Sequence, residues 1–222
     1  MHNPPRSIFT LMAAVLLIGA PARAEDSIAI DKRPVKVQTV IFDPADPPND
    51  MPKLAPQEAA VTRSTFGAAT SVEVQVVDDR EEAGQTTSTV KITAVNARLA
   101  MDVVIWLPEE PAEYLVAHEQ GHRGISELFY KDAEQTMRKL AAKYIGQAIR
   151  GKGPTANAAR QDAMRRVIGL LNADYMAATQ VPSARVNAIF DKLTAHGRNK
   201  KLSVETAIRQ SIEQYRDEQK KK

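Results

Sequence analysis

The chain contains no cysteine. That removes disulfide bracing, a thiol nucleophile, a lipid-modified N-terminal Cys and every zinc site built on sulfur, so a metal would have to be held by His, Asp, Glu and water. Histidine is scarce too: only His2, His118, His122 and His196 occur in 222 residues. Charge of one sign is not in excess, with 30 Lys and Arg against 27 Asp and Glu, and no basic patch is interleaved with aromatics. A nucleic-acid partner is therefore not expected. Long apolar runs are missing after the first residues, so no later segment reaches the roughly 20 residues of a membrane-spanning helix, and stable membrane insertion is not expected.

What is present begins with a leader pattern. Arg6 is followed by an almost unbroken apolar run from Ile8 to Ala20, and then by the small-x-small triplet Ala22-Arg23-Ala24. This reads as a secretory signal peptide cut after Ala24, leaving one domain over 25–222 in the periplasm or outside the cell. Loss of Arg6 and Arg23 lowers the basic count from 30 to 28 against 27 acidic residues, so the basic balance is partly the leader's. The closing Lys220-Lys221-Lys222 reads as a solvated, frayed terminus.

The chemistry is concentrated in His118-Glu119-Gln120-Gly121-His122, an H-E-x-x-H run inside a helical pattern that starts near Pro111. Residues four apart on a helix lie about one turn from each other, so two imidazoles can share one ion. Glu119 is offset by roughly 100°, which suits a carboxylate that touches water rather than metal. Two neutral imidazole ligands, a general base and an open coordination position are the parts of a zinc hydrolase.

Around this helix the pattern predicts an α+β domain: an N-terminal antiparallel β-meander, then the H-E-x-x-H helix and further packed helices, zincin-like in outline. Ile28 to Ile41 is β-branched and alternates at Val35, Val37 and Thr39. Phe42 to Gln57 holds five prolines and reads as a loop, a passive linker or a flap near the site. Ser71–Val77, Thr89–Val95 and Arg98–Leu107 each show a period of two and make the meander, with a charged turn at Asp78–Gln85. Helical spacing runs on to about Ile149, before Gly151, Gly153 and Pro154. It resumes from Ala156 to Thr179 and from Ala184 to Leu193, and a last helix carries Val204, Ile208, Ile212 and Tyr215. A strand beside the active helix either offers its free edge to an extended substrate or merely covers the helix; the pattern does not choose.

Catalytic zinc normally takes three protein ligands. Glu127 lies about 180° around the helix from His118, and Asp132 and Glu134 are too far along its axis. His196, at a helix end beside Gly197, is the remaining histidine and the expected third ligand. Asp191 is expected to accept a hydrogen bond from a ligand imidazole, and Tyr130 or Tyr175 to stabilise an oxyanion.

These residues resemble domain of unknown function 922, bacterial exported proteins regarded as zinc-dependent peptidases. His118 to His122 with Ile125, Glu127 and Leu128 is similar to that family's H-E-Q-G-H-F-D-I-A-E-L stretch. Phe190-Asp191 with Thr194, His196 and Gly197 is similar to its Y-D-x-x-T-x-H-G element. Arg123 and Gly124 stand in place of its Phe and Asp, and Phe190 in place of its Tyr. The resemblance implies an exported Zn²⁺-dependent peptidase acting on protein or peptide, with Glu119 as base. The alternatives are a cell-envelope protein whose zinc only braces the fold, and a metal-free helical adaptor.

Overall fold

Pro34 divides the first β-branched stretch into two short strands, β1 (Ile28–Lys32) and β2 (Lys36–Phe42). The structure is a computed structural model that describes residues 27–221, so the expected leader and its cleavage site lie outside the described residues. Two long strands follow, β3 (Val61–Glu82) and β4 (Gln85–Pro108). They are joined at Ala83 and Gly84, whose φ values of 50° and 76° supply the left-handed backbone that a two-residue hairpin loop requires. Next come α1 (Glu113–Lys131), α2 (Ala133–Tyr144), β5 (Ala148–Gly153), α3 (Ala156–Ala178), α4 (Gln180–Thr194) and α5 (Val204–Lys220). Among the described residues no helix is long and apolar enough to cross a membrane.

Every strand pairs with β4. Along one edge β3 runs antiparallel to it, from Val61 opposite Trp106 to Glu82 opposite Gln85. Three short strands share the other edge end to end: β5 antiparallel on Thr86–Lys91, β1 parallel on Val95–Leu99 and β2 parallel on Asp102–Pro108. The fold is α+β, but the expected antiparallel meander is not there. The first two strands join the sheet in parallel, and two of the segments read as separate strands are one.

The physical reason lies in a phase slip. Buried positions on β4 run Val90, Ile92, then Val95, Ala97, Leu99, Met101, Val103 and Ile105, so the parity changes once. At that point Glu73 faces Ala94 while Val74 faces Ile92, which leaves Thr93 unopposed in a β-bulge. One extra residue reverses which side faces the core, and in sequence this imitates a turn at Asn96-Ala97. β3 likewise begins ten residues before Ser71. Its early alternation is hidden because Thr62, Ser64 and Thr70 take positions on the helix-facing side; Thr70 Oγ1 bonds Asn172 Oδ1 at 2.7 Å and Thr62 serves the site.

The helical pattern expected to reach Ile149 is broken at Asp132 (φ −97°, ψ 14°), and the chain then returns to the sheet as β5. Gly151 allows β5 to touch α3: a Cβ there would lie 2.0 Å from Ala159 O. The helix read from Ala184 starts at Gln180, with Pro182 tolerated in its first turn. Leu99, Met101, Val103 and Ile105 pack with Leu115, Tyr130, Met137, Leu171 and Tyr175 in the main core. A second core, Ile125, Val186, Phe190 and Ala207, joins α1 to α4 and α5. The H-E-x-x-H helix is thus clamped between the sheet and these two helices.

Candidate metal centre

His118 and His122 project from one side of α1, with their Nε2 atoms 3.2 Å apart. The side chain that meets them comes from the last turn of α4. Asp191 Oδ1 lies 3.3 Å from His118 Nε2 and 3.0 Å from His122 Nε2, closing a triangle of three lone-pair atoms. Metal–ligand bonds of 2.0–2.2 Å in a tetrahedron put the ligand atoms about 3.3–3.6 Å apart. The triangle is within a few tenths of an ångström of that, so the donors present fit a zinc ion, and all three residues line the cleft. Two imidazoles and one carboxylate are also a donor set that zinc uses in catalytic sites.

Close packing produces this convergence. Gly121 has no side chain because a Cβ would lie 2.6 Å from Phe190 Cζ and 2.9 Å from Val204 Cγ1. Phe190 stacks on the His118 ring (centroids 5.0 Å apart, planes at 11°) and meets His122 edge-on at 5.1 Å. Asp191, next in sequence, is thereby delivered to the two Nε2 atoms. Asn187, one turn earlier on α4, sets its Oδ1 2.8 Å from His122 Nδ1. A proton on Nδ1 donated to Asn187 belongs to the tautomer whose Nε2 can turn its lone pair to a metal once Nε2 is deprotonated. Asn187 is itself held by the Ser183 carbonyl at 3.0 Å.

Glu119 is only 3 % exposed. Thr62 on β3 donates its hydroxyl proton to Glu119 Oε2 at 2.7 Å, fixing the carboxylate beside the triangle. Burial raises the proton affinity of Glu119 above the ordinary carboxylate value, against the positive influence of His122 and His118 and the Thr62 hydrogen bond. Asp191 behaves oppositely. Burial works against its charge, but the hydrogen bonds and charges of His118 and His122 outweigh burial and hold it well below the usual range. For His122 too, burial disfavours the charged ring, and the hydrogen bond and charge of Asp191, aided by Glu119 and Asn187, turn the balance upward.

The structure brings together His118, His122 and Glu119 as the motif requires; it does not bring His196 into the triangle. Ala195 and His196 both adopt left-handed backbone (φ 50° and 54°) just beyond the end of α4. His196 Nδ1 stands 3.7 Å from Asp191 Oδ1 and 3.2 Å from Glu58 Oε1, and its Nε2 lies 3.3 Å from Gln57 Nε2. The third donor of the triangle is Asp191, expected only to accept a hydrogen bond from a ligand imidazole. Asp191 sits five residues before His196, while still on α4.

Tyr130 and Tyr175 are buried in the main core, Tyr130 bonded to the carbonyls of Arg33 and Leu99, and neither lines the cleft. Arg123 pairs with Glu127 at 2.7 Å on the outer side of α1, and Gly124 faces Ile208. Thr62 and Asn187 carried no sequence signal, being an ordinary strand threonine and an ordinary helix asparagine.

A cleft of about 450 Å³ opens over the centre, walled by Ala60–Ser64 of the β3 region, by α1, by Asn187 and Asp191 of α4, and by Glu58 and His196 at its rim. Among the described residues no strand pairs with the second edge of β3, whose first residues, Val61–Ser64, line the cleft. No family model, no curated protein and no solved structure matches the chain.

Proposed function

We propose that the protein is an exported zinc-dependent peptidase, in which His118, His122 and Asp191 hold the metal and Glu119 is the general base. The observation that carries this reading is the triangle of ligand atoms at 3.0–3.3 Å with a buried, hydrogen-bonded carboxylate on the same helix turn. Zinc bound there would lower the pKa of a water and polarise a substrate carbonyl. Thr62 occupies Oε2 of Glu119, leaving Oε1 to take a proton from water and return it to the departing amine. The raised proton affinity of the buried Glu119 suits that exchange. Asn187 holds His122 in the tautomer that ligates, and Phe190 with Gly121 keeps the rings from turning.

An extended peptide is the substrate class that the free edge of β3 supports. Backbone pairing along Val61–Thr70 would lay such a chain across the cleft without regard to most of its side chains. The far half of the same edge is guarded by a bulge at Val77, the residue of β3 left unopposed between Val76 and Asp78, and by the charges from Asp78 to Glu82, whereas the half at the cleft carries only Arg63. Zinc that merely braced the fold would have no use for a buried base.

The test is cleavage of an unfolded, fluorescently labelled protein by zinc-loaded chain 25–222, beside Glu119→Gln. The expected result is hydrolysis by the wild type and a loss of roughly 10²–10⁴-fold in the variant at unchanged zinc content. Equal inactivity of both, with zinc bound, would favour the bracing role.

A further inference from the structure

The proline-rich segment 43–59 is not a bare connection. It folds on itself through Asp46 N to Asp43 O (3.0 Å), Met51 N to Pro48 O (3.1 Å) and Glu58 N to Ala55 O (2.9 Å). It is pinned across the cleft mouth where Glu58 and Gln57 meet His196, and the Glu58 Oε2 also accepts from Ala55 N at 2.8 Å. Yet its apolar side chains do not collapse onto one another. Phe42, Pro44, Pro47, Met51, Leu54 and Pro108 surround a second cavity of about 410 Å³, large enough for a ligand group. Proline rings fix φ, so this wall is set before anything binds and little ordering is left for the binding step.

Three residues, Pro52, Glu58 and Ala59, line both this cavity and the cleft above the metal centre. The segment also runs directly through Ala59 and Ala60 into Val61, where the free edge of β3 begins. The two spaces therefore adjoin at these three residues, beside the line that an edge-paired chain would take. We infer that the cavity under the proline-rich segment is a specificity subsite for one large apolar side chain, such as Leu, Met or Phe, of the same extended peptide that lies over His118, His122 and Asp191. This rests on the peptidase reading above. Ala59 is three residues before Thr62, which touches the base; at about 3.3 Å per extended residue the accepted side chain belongs on the order of three positions from the scissile bond. The pocket carries apolar walls with Lys53 and Glu58 at its margin, so a charged side chain would lose hydration there without a buried partner.

The experiment uses zinc-loaded Glu119→Gln protein, which binds without turnover, and labelled ten-residue peptides in which a single Leu or a single Asp is moved through a Gly/Ser/Thr background. Fluorescence anisotropy should show Leu favoured over Asp by roughly ten-fold or more at one position, the gain for burying one such side chain. Met51→Asp, which puts a charge in the wall, and Ala59→Trp, which fills the shared boundary, should each erase that preference while the melting temperature stays near that of the parent. Equal affinity for Leu and Asp at every position, or a preference untouched by both variants, overturns the subsite. Cleavage of unfolded protein by the wild type with no positional preference would overturn the subsite alone, whereas absence of any peptide binding would remove the subsite and the peptidase reading together.

Discussion

Two carboxylate–imidazole groups stand only a few ångströms apart on the cleft wall and differ in what they can do. In the inner one Asp191 meets His118 and His122, with His118 4 % exposed and the three atoms within 3.3 Å of one another. In the outer one Glu58 meets His196, whose side chain is 27 % exposed and whose partners tie the proline-rich segment to the turn after α4. The residue types are nearly the same. Convergence of three donor atoms, set by close helix packing, is what makes the inner group a candidate metal centre and leaves the outer one a clasp.

The largest separation between the two groups should come from the base. Glu119→Gln, beside the inner triangle, should lower turnover on unfolded protein by roughly 10²–10⁴-fold with zinc retained, whereas Glu58→Gln at the rim should change it far less. Asn187→Leu is next: without the acceptor for Nδ1, the His122 ring loses the partner that fixes its tautomer, and zinc affinity should fall by roughly 10- to 100-fold in a chelator competition. pH sharpens the same contrast. Burial opposes the charged ring of metal-free His122, but Asp191 and Glu119 outweigh it and raise its proton affinity above the ordinary value, so protons compete with zinc for that ring as pH falls. Affinity should therefore fall progressively as pH is lowered, measured by zinc titration from pH 8 to 5.5. The smallest effect is one of packing. Gly121→Ala would press on Phe190 and Val204 and should cost about 1–3 kcal/mol in urea unfolding of the metal-free protein, more than Gly124→Ala, where a Cβ finds only Ile208 at 4.0 Å.

The inner group was partly legible in the sequence, and the missing part has a definite cause. His118, Glu119 and His122 follow from helix periodicity, because four residues make nearly one turn. Asp191 did not, since which of two nearby residues faces a neighbouring helix depends on where α4 ends, and left-handed backbone at Ala195 and His196 is not written in an Ala-His pair. The sheet failed in sequence for a comparable reason. Period-two reading assumes an unbroken ladder, and the unpaired Thr93 turns one 24-residue strand into two apparent ones. Parallel pairing of β1 and β2 with β4 is a long-range choice that local alternation does not carry. The start of β3 was invisible because Thr62 and Ser64, which line the cleft, break the apolar alternation there.

The direct measurement is zinc affinity of Asp191→Asn beside His196→Ala, each titrated against a fluorescent chelator at pH 7.5. An inner triangle predicts that Asp191→Asn weakens zinc by more than the roughly 100-fold that outer-shell losses reach, while His196→Ala stays within a few-fold of wild type. The reverse order, with His196→Ala losing the metal and Asp191→Asn keeping it, would contradict the assignment.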